Sequence, residues 1–173
     1  MERLKFAALI MLLPIILISC SRSEAALYYQ FSPFTARFAL SLSEMNFTGT
    51  ITAGALTDSP RDVSIHFESP ETLSGISVER KDGVVTTSLD DIHTSTKDVR
   101  WLAIADLFSL DGTVCSIKNV TLGGTSCILA VLTVKNGEKY SVYIDKSGLP
   151  LRISGDVFGK PFVLDILFFR QDV

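Results

Sequence analysis

The chain has 173 residues, 47% hydrophobic and 20% charged, with 16 Lys+Arg against 19 Asp+Glu and a formal net charge of −3. That length suits one domain with a real core. The mild acidity and the lack of any basic run argue against nucleic acid as a partner and offer no electrostatic pull toward anionic lipid headgroups.

Arg3 and Lys5, diluted by Glu2, precede an uncharged and mostly apolar run from Phe6 to Ser19. A helix needs roughly 20 residues to cross the hydrocarbon core. This run is shorter and contains Pro14, so it reads as the h-region of an export signal. It ends in Leu17-Ile18-Ser19-Cys20, which resembles the bacterial lipobox. The resemblance implies cleavage before Cys20, lipid on its sulfur and an extracytoplasmic chain anchored to a bacterial membrane. Two or more acyl chains, at about 0.8 kcal/mol per buried CH₂, anchor a protein stably. Residues 1–19 hold two of the 16 basic and one of the 19 acidic residues, so the remaining 154 residues carry a net charge of −4.

Residues 20–33 read as a tether and residues 34–173 as a single domain. From Phe34 the pattern has period two, with Phe38, Leu40 and Leu42 on one face, which marks a half-buried strand. Glu44-Met45-Asn46 is expected to turn into a second strand, Phe47 to Ala55. The run Asp58 to Asp62 is a strong turn signal. Val63, Ile65 and Phe67 alternate in a third strand, broken by Ser69-Pro70-Glu71. Leu73 to Arg80 and Val84 to Leu89 flank Lys81-Asp82-Gly83 as a hairpin. Ser95 to Asp98 has the form of a capping box. Behind it, Trp101, Ile104, Ala105 and Phe108 fall on one face of a helix expected over Val99 to Leu110. Strands resume at Ser116 to Thr121 and Ser126 to Val134 across Gly123-Gly124. Asn136-Gly137 then leads to Tyr140 to Asp145, and Leu149 to Gly155 and Phe162 to Arg170 follow. In the last strand Phe162, Leu164, Ile166 and Phe168 share one face. Val163, Leu167 and Phe169 make the other face apolar as well, so cover on both sides is expected. The fold class is mainly β (α+β), with one helix packed on an antiparallel sheet.

Three stretches in this order carry a resemblance: Phe34-Thr35-Ala36-Arg37-Phe38, Phe67-Glu68-Ser69-Pro70-Glu71 before the Lys81-Asp82-Gly83 hairpin, and Tyr143 to Leu151 around Asp145-Lys146-Ser147-Gly148-Leu149-Pro150. The chain resembles the lipoprotein-localisation carrier superfamily, which includes LolA, LolB and the mycobacterial lipid-binding lipoproteins. Ser69-Pro70-Glu71-Thr72-Leu73 also looks like uncharacterised lipoproteins of Gram-positive anaerobes. The resemblance implies a strongly bent antiparallel half-barrel with an apolar helix packed on its concave face and acyl chains bound within. Residues 21–33 depart from the family, since they are too short and irregular for its leading helix. The ligand-contacting residues would be Phe38, Leu40, Leu42, Ile51, Ile65, Phe67, Trp101, Ile104 and Phe108. The alternative is a filled core in a domain that engages another envelope protein.

No catalytic constellation, cofactor fingerprint or metal spacing is present, and the chain is expected not to be an enzyme. His66 lies on the polar face of a strand and His93 in a polar loop before the helix. Asp90-Asp91 are expected to end a strand. Asp165 interrupts the apolar last strand and needs a partner if buried, with Arg37 and Arg152 as candidates. With Cys20 assigned to lipid, Cys115 and Cys127 remain. A disulfide would close a small loop worth roughly 3 kcal/mol. If Gly123-Gly124 is a two-residue turn, however, Cys115 falls opposite Leu132. A bridge then requires Cys115 to precede the strand, and two buried free thiols are the other outcome. The expected partners are the membrane through Cys20, a lipid or other hydrophobic ligand, or an envelope protein, and a monomer is expected.

Overall fold

The computed structural model describes residues 27–55, 61–96, 103–108, 112–134, 137–157 and 159–172. Eleven strands make one open sheet: β1 Phe34–Leu42, β2 Met45–Ala53, β3 Val63–Ser69, β4 Ile76–Lys81, β5 Val84–Leu89, β6 Ile92–Thr96, β7 Gly112–Leu122, β8 Thr125–Val134, β9 Lys139–Ile144, β10 Pro150–Val157 and β11 Lys160–Gln171. The order across it is β6-β5-β4-β3-β2-β1-β11-β10-β9-β8-β7. Every neighbouring pair is antiparallel. The first and last strands thus meet at the centre, each followed outward by a meander. A helix α1, Ala103–Leu107, and a 3-10 helix, Tyr28–Phe31, complete the described elements.

The period-two pattern does the folding work. Phe34, Ala36, Phe38 and Leu40 of β1 are buried, as are Phe47, Ile51 and Ala53 of β2 and Val63, Ile65 and Phe67 of β3. On the other half Ala130, Leu132, Val142, Ile144, Ile153, Phe162 and Leu164 join the same cluster, with Val78 and Val85 at the β4–β5 side. Each fully buried side chain of this size contributes roughly 1.5–3 kcal/mol over an exposed one. A flat sheet of eleven strands would be about 48 Å wide, far too wide for the one short α-helix among the described residues to cover. One continuous core drawn from both halves therefore requires the sheet to curve around that face. Leu27 and Tyr29 are also buried in the cluster, so packing begins ahead of β1.

Gly49 shows how tightly the layers approach. A Cβ there would lie 2.4 Å from the His66 carbonyl oxygen and 3.1 Å from Cζ of Phe38. Only glycine lets β2 sit this close to β3 under the Phe38 ring.

Several expectations change. The first turn is tighter than predicted: Ser43 takes a positive φ of 55°, and β2 already starts at Met45. The segment read as the start of the fourth strand turns instead, with Leu73 N and Ser74 N both donating to Pro70 O. β4 then begins at Ile76. Ser95 caps no helix, because it lies in β6 opposite Thr86, and His93 of the same strand faces Ser88. Of the helix expected over 99–110, the described residues show α1, Ala103–Leu107, and an apolar helix spanning the concave face is not supported. Strand pairing by Ile92–Thr96 takes up Ser95 and Thr96 of the expected cap, while Lys97 and Asp98 lie outside the described residues.

The last strand also differs. Between Arg37↔Phe168 and Phe38↔Ile166 the register shifts, leaving Leu167 as an extra residue on β11. The bulge reverses the alternation beyond it. Phe168 is therefore outside and exposed, as is Leu167, so the outer face is not covered there. Phe169 turns inward and stacks on Phe34 with ring centroids 4.9 Å apart.

Candidate functional site

The curved face carries an aromatic interior. Phe108, just after α1, lies 5.6 Å from Phe34 and 6.3 Å from Phe38, centroid to centroid. Phe47 and Phe67 meet edge to face at 6.5 Å. Of the residues singled out in the sequence, Phe38, Leu40, Ile51, Ile65, Phe67, Ile104 and Phe108 all belong to this one buried cluster. Leu42 is half-buried and packs against it. Trp101 and Cys20 lie outside the described residues.

A polar corner sits where the chain enters the core. Arg61, just before β3, is buried, donates from Nη2 to the Gln30 carbonyl oxygen and lies 5.0 Å above the Phe34 ring. Arg80 Nε donates to the Arg61 carbonyl oxygen at 2.8 Å, and Arg80 Nη1 lies 3.7 Å from Asp106 Oδ1 of α1. This chain of contacts links the 3-10 helix, β3, β4 and α1. Burial pushes the Arg61 guanidinium down to about 10, with Tyr29 opposing and Arg80 adding to the effect. It therefore remains a cation at neutral pH. Burial also raises the Tyr29 phenol, against the pull of Arg61, and raises the Asp106 carboxyl, against Arg80. Tyr29 Oη and Gln30 Oε1 are buried with no hydrogen-bond partner among the described residues. An unpaired buried polar atom costs about 1–3 kcal/mol, so this corner can reward a polar group that reaches it.

Sequence reading missed Tyr29, Gln30 and Arg61. Arg61 sits in a turn-like run, Asp58 to Asp62, where nothing in local pattern separates a buried arginine from a solvated one. Phe34 was reachable, since it begins the alternation that continues through Ala36 and Phe38.

The remaining candidates have structural partners. Asp165 pairs with Arg152, whose Nε lies 2.5 Å from Oδ1, while Arg37 pairs with Glu68 through Nη2 at 2.6 Å. His66 is exposed on the outer face of β3. His93 Nδ1 lies 2.7 Å from Ser88 Oγ. Asp90 and Asp91 form the turn between β5 and β6, Asp90 with a φ of 51°. Cys115 and Cys127 are free thiols, one exposed and one buried. Cys115 lies within β7 at a register shift between Val114 and Ser116, while Cys127 faces Val120. The bulge puts Val114, not Cys115, opposite Leu132, and Cys115 lies within the strand rather than before it. Among the described residues no three His, Cys, Asp or Glu side chains converge as a metal site, and no helix is long and apolar enough to cross a membrane.

An open antiparallel sheet with a buried apolar face and a polar corner defines the class of molecule. No protein-family model and no curated protein matches the sequence. Solved structures do match. An uncharacterized conserved protein from Thermus thermophilus is 18% identical over 89% of this chain and 88% of its own, with a TM-score of 0.58. MucB is 12% identical over 88% of this chain, with a TM-score of 0.55. The match covers 60% of MucB, so this chain corresponds to part of that protein. The LolA superfamily protein NE2245 from Nitrosomonas europaea is 10% identical over 87% of this chain and 94% of its own, with a TM-score of 0.46. The first two matches establish the fold.

Proposed function

We propose that this chain is an extracytoplasmic lipoprotein, anchored through Cys20, that binds a lipid or other hydrophobic ligand on the curved apolar face of its sheet and catalyses no reaction. The observation that carries this reading is one continuous apolar face to which both halves of the sheet contribute. The core spans both halves of the sheet, yet the elements described on it are α1, its Phe108 and the 3-10 helix. Phe108 plugs the interior between Phe34 and Phe38. Moving α1 and Phe108 uncovers the rings of Phe34 and Phe38 without breaking a strand pair. Each Å² of apolar surface a ligand then covers gains about 25 cal/mol. Phe38, Ile51, Ile65, Phe67, Ile104 and Phe108, with Trp101 before α1, would contact the apolar part of the ligand. Tyr29 Oη and Gln30 Oε1 would meet a polar end.

The test is organic extraction of the gently purified full-length protein, with lipids identified by mass spectrometry and stoichiometry taken from native mass spectrometry. A near-stoichiometric lipid beyond the chains on Cys20 is expected. A protein that yields none and takes up neither added lipid nor an apolar dye would overturn the reading.

A second reading has its own observation. β6 and β7 are the two outer strands of the sheet, and β7 runs for 11 residues with Lys118 as its single charge. Unpaired edges of this kind accept an extended segment of a partner protein. A defined complex recovered from membranes without co-extracted lipid would favour this alternative.

A further inference from the structure

We infer that the domain lies against the membrane on its 3-10 helix, with the side chains of Tyr28 and Phe31 in the lipid interface. The inference rests on the lipidation of Cys20 proposed above.

Tyr28 and Phe31 are 68% and 51% exposed, on a segment whose intervening Tyr29 and Gln30 are buried. Their rings lie 6.1 Å apart, so they present one aromatic surface rather than two scattered side chains. Water is a poor environment for this surface, whereas the boundary between headgroups and acyl chains suits aromatic rings, above all a tyrosine with one apolar and one polar end.

Chain length decides what meets them. Leu27 is buried in the core and so is fixed to the domain. Seven Cα–Cα steps separate it from Cys20, a reach of at most about 25 Å. A domain of about 140 residues has a radius of gyration of about 14 Å and hence a width of about 37 Å. The tether is shorter than the domain is wide, so the end carrying Leu27 faces the bilayer. Tyr28 is the next residue. The carboxylate of Asp172, whose backbone N donates to the Pro33 carbonyl, is held by Thr35 Oγ1 at 3.0 Å and Arg170 Nε at 2.9 Å, which lessens its repulsion from lipid phosphates. The net charge supplies no attraction of its own, so aromatic contact would set the orientation.

The test uses the full chain, processed and lipidated in a bacterial host and reconstituted in phosphatidylcholine vesicles brominated near the headgroup end of the acyl chains. Trp101→Phe removes the native indole, Tyr28→Trp reports from the 3-10 helix, and Phe31→Trp repeats the measurement should the first variant fold poorly. Glu44→Trp, in the exposed turn at the far end of β1, is the control. Nine strand residues set it about 30 Å away. At least a twofold loss of emission is expected at position 28 or 31 relative to unbrominated vesicles, with no change at position 44. Equal emission at all positions from protein that floats with the vesicles would leave the anchor intact and overturn the docking. Quenching at position 44 alone would also overturn it. Protein left in the soluble fraction with an unmodified Cys20 would overturn the anchor, and the docking with it.

Discussion

Tyr140 donates its hydroxyl to Glu138 Oε2 at 2.8 Å from a nearly buried ring. Burial first, and then the hydrogen bond to the carboxylate, push its phenol up to about 12. A raised phenol is neutral in the folded state at pH values where the unfolded chain has begun to ionise. Its contribution to stability is therefore complete below the unfolded value near 10 and is lost as pH rises through about 12. Tyr140→Phe should remove one late-ionising phenol from an ultraviolet titration of the folded protein. It should also make the alkaline decline in stability shallower by about 2 kcal/mol or less. An unchanged titration would show that Tyr140 ionises freely. At this scale the sequence is least informative. That Asp165 needed an arginine was legible, but the choice of Arg152 over Arg37 came from the β10–β11 register, which sets Arg152 directly opposite Asp165. Arg37 is drawn instead to Glu68, whose carboxylate it holds below the usual range.

Elements were far more legible, because a sheet with one buried face writes its alternation into the chain. β1, β2, β3, β5, β8, β9, β10 and β11 all lie close to where hydrophobic period and turn residues put them. β6 escaped because Ile92-His93-Thr94-Ser95-Thr96 is mostly polar, and its Ser95 mimics a helix cap. A strand at the sheet edge has little core to face and so shows little hydrophobic pattern. The bulge at Leu167 escaped for a different reason. An extra residue leaves composition unchanged and alters only which of two adjacent phenylalanines turns inward. That difference is testable. Phe168→Ser should change stability by no more than about 0.5 kcal/mol. Phe169→Ser, which removes a ring stacked on Phe34 and set 5.8 Å from Tyr29, should cost at least about 2 kcal/mol. Urea midpoints at unchanged slope measure both, and the reverse order would contradict the bulge.

At the scale of the molecule, the sheet is two meanders joined by one seam. β1 and β11 pair along their whole length, and Thr35 Oγ1 donates to Asp172 across a sequence separation of 137 residues. The resemblance in sequence implied a sheet of this class, but not that its ends would be its middle, because no local signal reports which distant strands pair. A chain ending at Gly159 lacks β11 and leaves the Phe34, Ala36, Phe38 and Leu40 strand without its partner. It should lose its cooperative unfolding transition and become insoluble. A soluble truncated chain with a sharp melt would show that the β1–β6 meander is stable alone.

The seam also sets a timetable. A polypeptide is delivered from its amino end, so β1 emerges early and β11 last, and nearly the whole chain must be released before the central pairing can close. Until then β1 offers bare amides and carbonyls beside four apolar side chains, the kind of surface on which nascent chains stick to one another. The protein's most vulnerable moment therefore falls before its central pairing closes, and a holding chaperone that masks β1 would be needed only until β11 arrives.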